Sequence, residues 1–176
     1  KNTYSLDDLR ENGIDPLAYR YFLLGAHYRS KQNFTWEAVH GAGHALTKLQ
    51  RLVRAWNKPE IGCADLEAEF KAAIEDDLNT PEALAVLWKT VDSDYPASAK
   101  ASSLLWMDRM LGLKLSEYVA KPLMIPLDVK ESADRRWEAR QSRDWSSSDK
   151  LRDDLKAKGW EVEDGVEGYT LDRVRD

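Results

Sequence analysis

Thr35-Trp36-Glu37-Ala38-Val39-His40-Gly41-Ala42-Gly43-His44-Ala45-Leu46-Thr47-Lys48-Leu49-Gln50-Arg51-Leu52-Val53-Arg54-Ala55-Trp56 is the longest periodic stretch in the sequence. Its apolar residues Trp36, Val39, Leu46, Leu49, Val53 and Trp56 step by threes and fours, with Gly43 in the gap. That spacing lines them along one side of a helix, so the stretch predicts a long amphipathic helix capped by Thr35. Asn57-Lys58-Pro59-Glu60-Ile61-Gly62 ends it. A helix with one apolar stripe needs other helices to cover it, and the flanking sequence supplies them.

Upstream, Ser5 through Gly13 reads as a short capped helix closed by glycine. Asp15-Pro16 then gives a cap followed by proline in the first turn. The run Leu17 to Leu24 is apolar nearly all round, which predicts the most buried helix of the set. Downstream, Leu66, Phe70, Ala73 and Ile74 mark a further helix, and Asn79-Thr80-Pro81 opens another with Ala83, Leu84, Val86, Leu87 and Val91 on its core side. Pro96 starts the last of these helices, through Leu104, Leu105, Met107, Met110 and Leu111 to Gly112. The expected fold class is mainly α: an antiparallel helical bundle over residues 1–116.

Composition shifts after that. Residues 117–128 read as a linker, because Lys121-Pro122-Leu123-Met124-Ile125-Pro126-Leu127 holds two prolines and little charge. Residues 129–176 read as a small α/β module with two helices and a β-hairpin. Its first helix is expected from Ser132 to Arg143 and its second from an N-cap at Ser146 to Gly159. The segments Trp160 to Asp164 and Tyr169 to Val174 alternate at period two around Gly165 and Gly168.

The whole chain has 176 residues and a formal net charge of −5, so wholesale electrostatic binding of nucleic acid is not expected. No apolar run approaches the roughly 20 residues of a membrane helix, and Lys1 to Asp8 has no apolar stretch of the signal-peptide kind. Cys63 is the single cysteine, which excludes an internal disulfide and a multi-cysteine zinc site and suits a reducing, cytoplasmic compartment.

Catalytic grammar is missing. His40 and His44 have metal-pair spacing, but no third ligand stands near them beyond Glu37, and a solvated pair is the simpler reading. Glu75-Asp76-Asp77 precedes a helix start, where carboxylates are favoured for structural reasons. There is no phosphate-binding glycine loop and no nucleophile with a supporting base.

The C-terminal module is different. Arg136, Arg140 and Arg143 recur by four and three on one expected helix face, with Arg135 at its edge. Trp145 follows at the turn, and Asp149 and Arg152 come one and two turns later. Two readings stay open. In one, the ring stacks on an unpaired RNA base, the guanidiniums meet base acceptors and a carboxylate accepts from the N1–H and N2–H₂ edge of guanine. In the other, Trp145 is core, Asp149 forms a capping box with Ser146, and the arginines pair with Glu138, Asp144 and Asp153.

Four blocks in order resemble the C-terminal part of the cysteinyl-tRNA synthetase family. They are Gly13 to Leu24, like that family's helical DALR-type domain; Ala26-His27-Tyr28-Arg29-Ser30 through Asn33-Phe34; Asp76-Asp77-Leu78-Asn79-Thr80-Pro81 to Leu87; and Arg136 through Asp164. The resemblance implies that Arg140, Trp145, Asp149 and Asp164 contact a G-C-A anticodon, with Trp145 stacked on the first base. Arg136, Arg143 and Arg152 are candidate phosphate contacts, from their shared face alone. The family's H-I-G-H motif and zinc-ligand cysteines are absent, and Gly168-Tyr169-Thr170-Leu171 stands where the family favours Gly-Thr-x-Trp. What the resemblance implies is therefore a non-catalytic fragment that holds no cofactor, ATP and zinc belonging to a catalytic domain outside it. Cysteine tRNA and that catalytic domain are the expected partners, with no membrane partner and a monomeric state. The rival expectation is a helical module that dimerises or docks a catalytic domain without binding RNA.

Overall fold

The computed structural model describes residues 4–166 and 168–174; Lys1, Asn2 and Thr3 of the opening segment read above lie outside the described residues. The chain divides into two compact units, one up to Pro122 and one from Leu123 onward.

The first unit holds helices α1 (Leu6–Glu11), α2 (Pro16–Leu24), α3 (Trp36–Arg54), α4 (Ala64–Glu75), α5 (Thr80–Asp92) and α6 (Ala97–Leu111), then a single tight turn at Leu115–Glu117. The starts follow local chemistry. Ser5 and Asp8 form a reciprocal capping box, Asp15 accepts from the Leu17 amide, Thr35 from Ala38 and Asn79 from Glu82. The α3 stripe supplies the core: Val39, Leu46, Leu49 and Val53 are all fully buried. Phe70 of α4, Leu87 of α5 and Leu104 and Met107 of α6 pack into the same core as the last three of these. Gly43 sits where α2 and α3 approach, since a Cβ there would stand 3.3 Å from the Ala18 Cβ.

Two expectations are corrected. α2 is not the most buried helix: only Ala18 is buried, and Leu23 is 47% exposed. α2 packs mainly on α3, so its other flank stays open, whereas α5 buries six residues between α4 and α6. Met110 is exposed, because α6 turns only its Leu104, Met107 and Leu111 side inward. The helix ends in a built cap: Gly112 adopts a left-handed φ of 65°, and the Asp108 carboxylate accepts from the amides of Leu113 and Leu115.

Two of the sequence blocks meet in this unit. Asp77 and Leu78, neither of them glycine, both adopt left-handed φ values of 52° and 54°. The Asp77 carboxylate accepts from the Tyr28 hydroxyl at 2.9 Å and lies 3.2 Å from the Arg29 guanidinium, while His27 Nε2 is 3.0 Å from the Asp77 carbonyl. Segment 27–29 thus holds the strained residue from outside its own loop.

The second unit comprises α7 (Leu127–Gln141), α8 (Trp145–Ala157) and strands β1 (Trp160–Asp164) and β2 (Tyr169–Arg173). The strands pair antiparallel, Trp160 opposite Arg173 and Asp164 opposite Tyr169. Val129, Ala133, Leu155 and Trp160 form the small core. α7 starts at Leu127 rather than Ser132, because Pro126 leads straight into the first turn and Asp128 favours that end.

Candidate nucleic-acid interface

The α7–α8 corner decides the site. α7 stops at Gln141, and the Arg143 amide donates to the Arg140 carbonyl while the Asp144 amide donates to Ala139. This pair of bonds is the Schellman arrangement, which asks for a left-handed residue just past the helix, ordinarily glycine. Here that residue is Arg143, with φ 62°. Arg143 is therefore not on the α7 face with Arg136 and Arg140, as its spacing had suggested; the helix has already ended. Asp144, rather than Ser146, caps α8, its carboxylate accepting from the Ser147 amide and hydroxyl. A left-handed arginine costs about 1 kcal/mol over glycine. Arg143→Gly should therefore raise the stability of this unit by about that amount in a denaturant titration.

The corner leaves Trp145 54% exposed, so it is not core. The Arg140 guanidinium lies over its ring, 5.6 Å from the centroid. Arg140 Nε is in turn 3.3 Å from Asp164 Oδ2. Asp164, the last residue of β1, is where the positive charge gathers. Arg136 grips it with two bonds, Nη1 to Oδ1 at 2.6 Å and Nη2 to Oδ2 at 2.9 Å, and Arg152 Nη2 stands 4.0 Å from Oδ2. The hydrogen bonds from Arg136 hold the Asp164 carboxyl below the usual carboxylate range and keep the guanidinium charged. Asp149 is 68% exposed and pairs only loosely with Arg152, at 3.5 Å.

One expectation fails on burial. The Arg136 side chain is 0% exposed and its terminal nitrogens are spent on Asp164, so it presents nothing to a phosphate. Arg135 donates to the Glu131 carbonyl, whereas for Arg136, Arg140 and Arg152 the pairings weighed with Glu138, Asp144 and Asp153 give way to this single carboxylate. Nothing in the sequence signalled it, because Arg136 and Asp164 are 28 residues apart. Leu171 stands at the position of the family's tryptophan and packs, partly buried, against the small core; two residues earlier the Tyr169 hydroxyl donates to Asp134, and burial pushes its pKa up to about 12. It ties β2 to α7. Among the described residues no group of three or more His, Cys, Asp or Glu side chains could hold a metal, and no helix is long and apolar enough to cross a membrane.

The pH dependence follows from the lowered carboxyls. Asp164, Asp144 and Asp128 all bind their proton less readily when folded than the ordinary value of 3.8. Their contribution is complete above that value and is lost as pH falls through and below it. Native hairpin amide resonances, followed at fixed denaturant, should hold steady from pH 7 to about 5 and lose intensity below about 4.

The chain thus pairs a helical unit with a second unit that carries an exposed aromatic–arginine–carboxylate cluster, and the family match falls in the helical unit. Residues 69–93 match the DALR domain. Beyond that segment, similarity to cysteine–tRNA ligases runs over nearly the whole chain. The cysteine–tRNA ligase 1 of Burkholderia lata is 42% identical over 166 residues, 94% of this chain and 35% of the relative. Those of Opitutus terrae and Thermus thermophilus are 39% and 38% identical, covering 99% and 95% of this chain but 38% and 40% of their own lengths. The chain is thus similar, over nearly all of its own length, to the C-terminal part of cysteine–tRNA ligases, and it spans well under half the length of these relatives.

Proposed function

We propose that this chain is the tRNA-binding part of a cysteine–tRNA ligase and reads the anticodon of cysteine tRNA. The observation that carries the proposal is the exposed Trp145 ring with Arg140 held over it, in a chain similar throughout to these ligases. Trp145 stacks on a splayed base, the first of the anticodon. Arg140 donates to base acceptors, and the exposed Asp149 carboxylate accepts from the donor edge of guanine. Arg143 and Arg152, both exposed, meet the adjoining phosphates. Asp164 belongs to the same cluster.

The first unit braces the tRNA body and sets the distance from anticodon to catalytic domain. The whole enzyme joins cysteine to tRNA with ATP, and the ATP and zinc sites lie in that catalytic domain rather than in residues 4–174. The chain acts as a monomer in the cytoplasm. By themselves these residues should bind tRNA more weakly than when joined to a catalytic domain, because the two halves of the RNA contact then act separately.

A second reading has its own observation: Tyr4, Leu6 and Leu23 leave apolar surface exposed in the first 30 residues, as a docking module would. One titration separates the two. Cysteine tRNA and a transcript with its first anticodon base changed from G to C are bound at two salt concentrations. Preference for the native anticodon that persists at higher salt supports base readout; equal or salt-erased binding gives the lead to the docking module.

A further inference from the structure

α3 turns two unlike sides to its surroundings. Val39, Leu46, Leu49 and Val53 are buried on one side; His40, Gly41, His44 and Lys48 are exposed on the other, within about 100° of one another around the axis. Arg51, half-buried, follows on the same side. Residues 16–59 contain one carboxylate, Glu37, against seven lysines and arginines, although the whole chain carries a net charge of −5. The charge of the ridge is also left without acidic partners. Lys71 of α4 pairs with Glu75, and Lys89 of α5 with Glu69. Lys48 makes no ion pair among the described residues, its ammonium lying instead 5.6 Å from the centre of the Trp88 ring. His40 and His44 make neither a hydrogen bond nor an ion pair among the described residues.

Gly41 adds an independent observation. Gly43 is accounted for by the close approach of Ala18, but a Cβ at Gly41 would meet nothing within 4 Å. Glycine weakens a helix interior relative to alanine, and no neighbour among the described residues calls for it here. It leaves a gap in the outer surface between His40 and His44. We infer that this ridge is a phosphate-binding surface for one strand of the tRNA body, with His40, His44 and Lys48 donating to successive phosphates and the strand lying close to the helix at Gly41. The inference rests on the tRNA-binding function proposed above and gives the bracing role of the first unit its contact residues. The three side chains follow at intervals of four residues, about 6 Å apart along the axis, a step that successive phosphates of one strand can follow. An imidazole N–H and an ammonium both donate to phosphate oxygens, and a polyanion is the partner that unpaired basic charge selects. Contacts of this kind position RNA without reading its sequence.

The test titrates the whole chain with the two tRNA transcripts above over a range of salt concentrations. The triple variant His40→Gln/His44→Gln/Lys48→Gln should weaken binding to both transcripts severalfold and equally, leaving the preference for the native anticodon as it was. Lys48→Gln alone should reduce the slope of log affinity against log salt by about 0.7–0.9, the share of one phosphate contact. Gly41→Leu should raise the thermal midpoint, because leucine is the better helix former and meets open space, and yet weaken binding, because its side chain fills the gap. A purely structural glycine would not separate the two readouts. Unchanged affinity and salt slope in the triple variant, a loss confined to the native transcript, or undiminished binding by Gly41→Leu each overturns the inference.

A measurement on the unaltered chain stands whether or not these variants fold. The ring resonances of His40 and His44 should shift when cysteine tRNA is added; resonances that stay in place at saturation overturn the inference. The outcomes also separate this surface from anticodon reading. If the unaltered chain binds neither transcript, the tRNA-binding function falls and takes the ridge with it. If it binds both equally and the triple variant weakens both, anticodon reading falls and the ridge stands. If the native anticodon is preferred and the triple variant binds like the unaltered chain, only the ridge falls.

Discussion

Trp145→Ala should lower affinity for cysteine tRNA by about 5- to 150-fold, the equivalent of one stacked base at about 1–3 kcal/mol. The thermal midpoint should barely move. Both halves follow from the same geometry: with more than half of its surface exposed, the indole contributes little to the core of Val129, Ala133, Leu155 and Trp160. Part of the lost affinity should come from Arg140, which gives up the ring beneath its guanidinium and keeps its ion pair with Asp164. Parallel melting and binding curves decide the matter. A fold that collapses on this substitution would return Trp145 to the core and remove the main support for RNA reading.

Arg136→Met is expected to damage the second unit severely. Breaking a buried ion pair typically costs about 3–5 kcal/mol, because the remaining charge loses its partner. The lower end applies here. Asp164 keeps Arg140 at 3.3 Å and some contact with water, and the substitution also removes the Arg136 Nε–H, which is buried with no hydrogen-bond partner among the described residues. A loss of about 3 kcal/mol is a large fraction of the stability of a small domain. The companion double variant Arg136→Met/Asp164→Leu should recover most of it, since replacing both partners by apolar groups is often near neutral. Denaturant titrations of both test this; a single variant within about 0.5 kcal/mol of the parent would show that the pair adds nothing.

Helix starts were legible in the sequence because a cap is a local bond. Asp15 before Pro16 and Asn79 before Pro81 need only their own neighbours to satisfy the first free amides. The α3 stripe was legible for the same reason: its period depends on helix geometry alone. Burial of α2 was not, since an all-round apolar helix says nothing about how many of its sides find a partner. The α8 cap was misplaced by two residues because the Schellman turn at Arg143 recruits a residue type that rarely adopts its φ. Within the site, Trp145, Arg140 and Asp149 could be singled out as a local cluster of suitable chemistry. The convergence of three guanidiniums on Asp164 could not, because it is made by folding a hairpin back onto two helices.

Asp77 and Leu78 have a practical consequence for anyone recombining this chain with its relatives. Both residues hold an unfavourable backbone shape, and His27, Tyr28 and Arg29 compensate it from a segment about 50 residues earlier. The two stretches therefore behave as one inherited unit although they are far apart along the chain. A hybrid whose crossover falls between residues 29 and 76 would keep the strained loop only where the other parent supplies side chains equivalent to His27, Tyr28 and Arg29, whereas one that exchanges residues 27–29 together with 76–78 would carry the compensation along.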